Sequence, residues 1–149
     1  MLRVGDPMPE TSLVGEAGRV ALRDWIGKAL VVYFYPKDET YGCTREACAF
    51  RDAYEDFVAA GADVIGVSRD DARAHAGFRA NHRLPFTLLS DPSGAVASTW
   101  GVQPTFGLLP GRVTFVFDRG GVCRMRFDSQ LRFGKHVDDA LAMVRTLAG

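Results

Sequence analysis

From Ala29 to Tyr35 every position is apolar or aromatic, and Pro36 ends the run. A stretch with no polar interruption predicts a central strand buried on both faces. The period then changes. Between Thr44 and Ala60 apolar residues fall at Ala47, Phe50, Ala53, Tyr54 and Phe57, a helical stripe that Gly61 terminates. Ala62 to Ser68 reads as a second strand, Asp70 to His82 as a second helix, and Phe86 to Leu89 as a short strand before the turn residues Asp91, Pro92, Ser93 and Gly94. Val113 to Phe117 and Val122 to Phe127 are strands joined by the turn Asp118, Arg119, Gly120, Gly121, and His136 to Leu147 closes the chain as a helix. Near the start, short apolar pairs flank Gly15, Glu16, Ala17 and Gly18, which predicts a hairpin, and a helical turn follows from Leu22 to Ile26.

Parallel β-α-β units followed by an antiparallel hairpin and a terminal helix are the order of the thioredoxin fold. The fold class read from the sequence is therefore α/β and thioredoxin-like, a central mixed sheet flanked by helices with an N-terminal hairpin extension. No repeat or low-complexity tract divides the 149 residues, so one domain over 1–149 is expected, and 47% hydrophobic residues suffice for its core. Eighteen basic residues balance eighteen acidic ones, so no global field favours nucleic acid or an anionic membrane. No apolar run approaches the roughly 20 residues of a membrane span, and the opening Met1 to Pro7 lacks the apolar region of a signal peptide. The expectation is a cytoplasmic protein with neither nucleic acid nor membrane as a partner.

Three cysteines in such a chain do not make a disulfide framework, which directs attention to redox or catalytic use. Cys43 follows the loop Lys37 to Gly42 and falls in the first turn of the helix after the central strand. Free helix N–H groups and the positive end of the helix dipole favour thiolate, the nucleophilic form. The carboxyl end of a strand in an α/β sheet is also where ligands bind. The rival reading is a buried, inert cysteine. Cys48 lies five residues further on. In a helix, Cα atoms five apart are roughly 8.7 Å from each other, whereas a disulfide needs less than about 7 Å. If these two sulfurs pair, the first turns of the helix must unwind. The rival for Cys48 is a small core residue between Ala47 and Ala49.

The segment Val31 to Cys48 resembles the active-site segment of the peroxiredoxins. Pro36, Thr40 and Cys43 meet the pattern Pro-x-x-x-Thr-x-x-Cys, and Cys48 followed by Phe50, Arg51 and Asp52 is similar to the bacterioferritin comigratory protein, or peroxiredoxin Q, branch. The likeness continues through Phe86 to Asp91, Trp100 to Val102 and Arg112 to Asp118, nearly the whole chain. One departure is Tyr41, where most relatives carry Pro; it bears on packing near the sulfur and on substrate preference.

The resemblance implies a peroxidase reducing hydrogen peroxide and organic hydroperoxides. Cys43 attacks the O–O bond, and negative charge leaves on the departing oxygen. Thr40 would orient the peroxide, the Cys43 N–H would bond the attacked oxygens, and Pro36 would shape the loop and shield the thiolate. Arg112 would stabilise the thiolate and the developing charge, held in place by a bidentate pair with Glu46. The product is a Cys43 sulfenic acid, which Cys48 would convert to an intramolecular disulfide. Thioredoxin or a similar dithiol would regenerate it, and no cofactor is required. The balanced charge and the absence of an obvious exposed apolar extension make a monomer the expectation.

Other features read as structural. Alternation puts Cys123 on one strand face with Met125, as a core residue, although it remains an alternative resolving thiol. His75, His82 and His136 lie on helices without partners at ligand spacing, so solvated faces and no bound metal are expected. Arg124 and Arg126 also read as a solvated face. The Trp100 to Gly111 run reads as a loop walling the substrate entrance. Rival functions are a protein thiol-disulfide oxidoreductase, which usually carries Cys-x-x-Cys rather than the spacing here, and a non-enzymatic redox sensor.

Overall fold

The computed structural model describes residues 1–104 and 109–148. Along the chain come β1 (Ser12–Gly15), β2 (Gly18–Ala21), a 3-10 turn at Leu22–Trp25, β3 (Ala29–Phe34), α1 (Tyr41–Ala59), β4 (Ala62–Ser68), α2 (Ala72–His82), β5 (Thr87–Ser90), α3 (Ala95–Thr99), β6 (Val113–Phe117), β7 (Cys123–Asp128) and α4 (Phe133–Ala148). The strands form one mixed sheet in the order β2-β1-β5-β4-β3-β6-β7. β3 is parallel to β4, and β4 to β5, while β6 and β7 add antiparallel on the other side and the β1–β2 hairpin closes the opposite edge.

The unbroken apolar run sits at the centre because both faces of β3 are covered. Ala29, Val31, Tyr33 and Tyr35 join a core with Ala47, Phe50 and Phe57 of α1, Phe78 of α2 and Val137, Ala140 and Val144 of α4. Leu30, Val32 and Phe34 face a second core with Leu2, Leu22, Trp100, Phe115 and Phe117. The alternation follows the pleat. Each fully buried large side chain contributes about 1.5–3 kcal/mol relative to exposure. Tyr33 stacks on Phe50 with ring centroids 4.5 Å apart, locking α1 over the strand that ends at Pro36.

Four of the differences from the sequence reading bear on the site or the packing around it. First, α1 and α4 each begin three residues before the expected start, since their first turns carry site residues rather than the apolar stripe. Second, the short α3 was not expected; the Asp91 carboxylate accepts the Val96 and Ala97 N–H groups at its start. Third, Cys123 and Met125 do not share a face. The register shifts between Val116 and Phe117, leaving Arg124 as the extra residue, so Cys123 enters the second core while Met125 packs on the first. Fourth, Arg126 is not solvated: it donates to the Trp100 and Gly101 carbonyls and lies 5.2 Å from the Phe115 ring centroid, whereas Arg124 is exposed and pairs with Asp118.

Candidate active site

The chain leaves β3 at Tyr35 and Pro36, both buried, and turns into α1 through Glu39, whose φ of 62° places a non-glycine residue in the left-handed region. Thr40 is the N-cap, but its hydroxyl donates to the Lys37 carbonyl (2.8 Å) and makes no cap bond. The first-turn amides of α1, that of Cys43 included, therefore receive no side-chain cap from Thr40. Tyr41 is 75% exposed and receives a hydrogen bond from Arg45 (3.2 Å), so the residue replacing Pro sits at the rim and not against the sulfur.

Cys43, third in the helix, is 1% exposed. Its Sγ accepts from the Lys37 N–H at 3.5 Å and from Arg112 Nη2 at 3.3 Å. Arg112 immediately precedes β6 and is buried; Nη1 donates to Glu46 Oε1 at 2.8 Å. The bidentate Arg112–Glu46 pair expected from the sequence is thus replaced by a shared fork. Cys43 and Glu46 are three apart on one face of α1, so the two guanidinium nitrogens span both acceptors. Phe133, from the first turn of α4, covers the guanidinium, with its ring centroid 5.0 Å away. Gly42 permits this approach: a Cβ there would lie 2.9 Å from Phe133 Cζ and 3.1 Å from Arg112 Nη2.

Above Arg112 opens a cavity of about 440 Å³, walled by Pro36, Tyr41, Leu109, Leu131 and Phe133. Of the run expected to wall the entrance, Leu109 does so, Trp100 is buried in the second core, and residues 105–108 lie outside the described residues. A larger depression of about 660 Å³ along α1, at Tyr54, Val58 and Pro85, contains none of the groups that touch the sulfur.

Two histidines expected on solvated faces are fully buried. His136 falls at the spacing of Ala140 and Val144, the inward stripe of α4, and His75 precedes Phe78 by three on α2; that periodicity was the available signal. His136 Nε2 donates to the Ser129 carbonyl (2.7 Å), Nδ1 meets the Thr114 hydroxyl (2.7 Å), and Glu46 Oε2 is 3.6 Å from Nδ1. Burial lowers the His136 value to about 4, with Arg112 acting in the same direction. Burial also pushes the Glu46 carboxyl up to about 7 against the pull of Arg112. Only His82 is partly exposed, paired with Glu39.

These two shifts act oppositely on stability. Acidification from pH 6.5 to about 4 protonates His136 in the unfolded chain first and destabilises the fold. Acidification from about 7 to 4.5 protonates Glu46 in the folded protein first and stabilises it. In Glu46→Gln the His136 contribution stands alone. Its thermal stability should fall more steeply than the wild type's between pH 6.5 and 4.5, by up to about 1.4 kcal/mol per pH unit. Parallel melting curves for the two proteins across that range would contradict the assignment.

All three cysteines are free. Cys48 is half-buried within the continuous α1, so pairing with Cys43 requires the first turns to open. Cys123 is buried on the other face of the sheet, and burial pushes its thiol up. The sequence reading names Pro36, Thr40, Cys43, Glu46, Cys48 and Arg112; Pro36, Thr40 and Arg112 line this cavity, Arg112 ties Cys43 and Glu46 to it, and Cys48 joins none of these contacts. It missed the Lys37 amide, Phe133, Thr114 and the buried histidines.

Residues 4–126 match the family described as AhpC/TSA. The chain is 48% identical over 145 residues to the chloroplastic peroxiredoxin Q of Suaeda salsa, covering 96% of this chain and 68% of that protein. Its fold superposes on peroxidoxin BcpB of Mycobacterium tuberculosis with a TM-score of 0.89 at 34% identity, covering 99% of both chains. The bacterioferritin comigratory protein of Xanthomonas campestris, solved in work on its alkyl peroxide reduction activity, gives 0.87 at 30% identity, covering 100% of this chain and 99% of that one. The cytoplasmic location expected from the sequence is contradicted by the plant relatives, which are chloroplastic proteins.

Proposed function

The chain belongs to the AhpC/TSA family, among the peroxiredoxins of the peroxiredoxin Q and bacterioferritin comigratory protein kind, and from that premise we propose how its residues carry out the reaction. It is a thiol-dependent peroxidase of thioredoxin-like fold, taking peroxides as substrates and recycled by thiols. The observation that carries the residue assignment is one sulfur, Cys43 Sγ, receiving both a backbone N–H and a guanidinium from Lys37 and Arg112, two residues that line an apolar cavity.

A peroxide enters between Phe133, Leu131 and Tyr41 with its O–O bond in line with Cys43 Sγ. The thiolate attacks the terminal oxygen; an S–O bond forms, the O–O bond breaks, and the departing alkoxide or hydroxide takes a proton from water. The Arg112 guanidinium and the uncapped Cys43 N–H face the developing charge, and the Thr40 hydroxyl, anchored on the Lys37 carbonyl, accepts from the peroxide O–H. The walls suit organic hydroperoxides as well as hydrogen peroxide. Cys48 then displaces water from the sulfenic acid, forming the Cys43–Cys48 disulfide, and an external dithiol, with thioredoxin the candidate, returns two electrons and two protons. The protein acts as a single-domain monomer over 1–149.

Mass spectrometry after one equivalent of peroxide should find the intact protein lighter by two hydrogens, with a peptide joining Cys43 to Cys48. Cys48→Ser should stop at the sulfenic acid on Cys43. A linked peptide containing Cys123 in the wild type would move the resolving role there.

A further inference from the structure

Beneath the catalytic loop lies a buried polar cluster that the reaction scheme does not use. Asp38 Oδ1 accepts from the Tyr35 hydroxyl (2.6 Å), and Oδ2 lies 2.6 Å from His75 Nδ1. The Asp38 N–H donates to Asp70 Oδ2 (2.8 Å), which also accepts from the Ser68 hydroxyl. His75 Nε2 lies 3.0 Å from the Leu89 carbonyl, which can only accept, so that nitrogen carries a proton. The 2.6 Å contact between Nδ1 and the Asp38 carboxyl is a short hydrogen bond whichever of the two carries the proton. Both ring nitrogens are thus engaged and the pair is sealed from water, with His75 at 0% and Asp38 at 6% exposure. Asp38, Asp70 and His75 could be mistaken for a cation site, since one ligand atom of each lies within 4.8 Å of the others, but those atoms are engaged by the bonds just described.

What this cluster holds is the loop. The next residue, Glu39, in the left-handed region, is bonded to Asn81 and His82 at the far end of α2 (both 2.6 Å), so two consecutive loop residues are tied to one helix. The preceding residue, Lys37, aims its N–H at Cys43 Sγ, and its carbonyl fixes the Thr40 hydroxyl. Displacing Asp38 moves both groups together. We propose that His75 is a positioning residue for the peroxide-reducing step: through its short buried hydrogen bond with Asp38 it pins the Pro36–Thr40 loop onto α2 and so aims Lys37 and Thr40 at the Cys43 sulfur. The same tie opposes the opening of the first turn of α1 that Cys48 needs. The pair therefore divides the cycle, favouring oxidation of Cys43 and slowing formation of the disulfide.

The proposal rests on Cys43 being the sulfur that meets peroxide, and the test keeps the two apart. Wild type, His75→Asn and the double variant Asp38→Asn/His75→Phe are mixed with one equivalent of hydrogen peroxide and quenched at short times. Trapped Cys43 sulfenic acid and the Cys43–Cys48 disulfide are quantified separately by mass spectrometry. The double variant, which leaves no buried lone charge, should form sulfenic acid about ten- to a hundredfold more slowly yet convert it to disulfide faster than wild type. His75→Asn, which keeps one donor near Asp38, should fall between. Folded variants showing wild-type rates in both steps overturn the proposal, as do variants in which both steps slow in parallel with lost thermal stability. Wild type giving no Cys43 adduct at all would instead remove the underlying assignment.

Discussion

Cys43→Ser loses peroxide consumption by a factor on the order of 10⁵ or more, down to the background reaction of other thiols. A serine hydroxyl in the same place keeps the volume and can still accept from Lys37 and Arg112, but it does not ionise near neutral pH, and alcohol oxygen is a poor nucleophile toward an O–O bond. Since the position is 1% exposed and the change removes little bulk, the variant should fold. Turnover with a thiol reductant and direct reaction with one equivalent of peroxide both measure it. Wild-type turnover in either assay would place the chemistry elsewhere.

The second largest effect belongs to Arg112. Arg112→Met keeps the length of the stem under Phe133 and removes both the charge and the donor 3.3 Å from Cys43 Sγ. Loss of one donor aimed at developing charge in a water-poor site costs about 10²–10³-fold in rate. Breaking a buried pair also destabilises, by about 3–5 kcal/mol when the remaining charge has no escape. Here Glu46, already pushed to about 7, escapes by taking a proton. Arg112→Met/Glu46→Gln separates the two effects: the double variant should regain thermal stability without regaining rate. Arg112→Lys keeps the charge but cannot fork between Glu46 and Cys43, and should lie between the two. A rate for Arg112→Met within a few-fold of wild type, measured by rapid mixing with peroxide, would detach the guanidinium from the reaction.

Much of the site was legible because its signals are local. An unbroken apolar run ended by Pro36 reads as a buried strand whatever surrounds it, and a cysteine just past the following loop must lie near a helix start. Glu46, one turn beyond Cys43, shares its face by helical spacing alone. The partnership of Arg112 with Glu46 followed from the family resemblance, yet its geometry did not, since a bidentate pair and a fork shared with sulfur use the same residue types. The histidines were misread although their spacing matched the buried stripes, because an ionisable side chain argues for solvent until partners such as Asp38, Thr114 or the Ser129 carbonyl are known. The Lys37 amide had no signature at all, being backbone.

The amino-acid sequence by itself determined the order of strands and helices, the nucleophile and its place in a first helical turn, since periods of two and 3.6 and the chemistry of a thiol are properties of short segments. Only the tertiary structure decided what meets that sulfur from 69 residues away, which face Cys123 occupies, and that His75 and His136 are sealed inside. The physical reason is register and docking. One extra residue at Arg124 reverses a strand's faces, and the seating of α2 and α4 on the sheet brings distant side chains to hydrogen-bonding distance, neither of which a local pattern encodes.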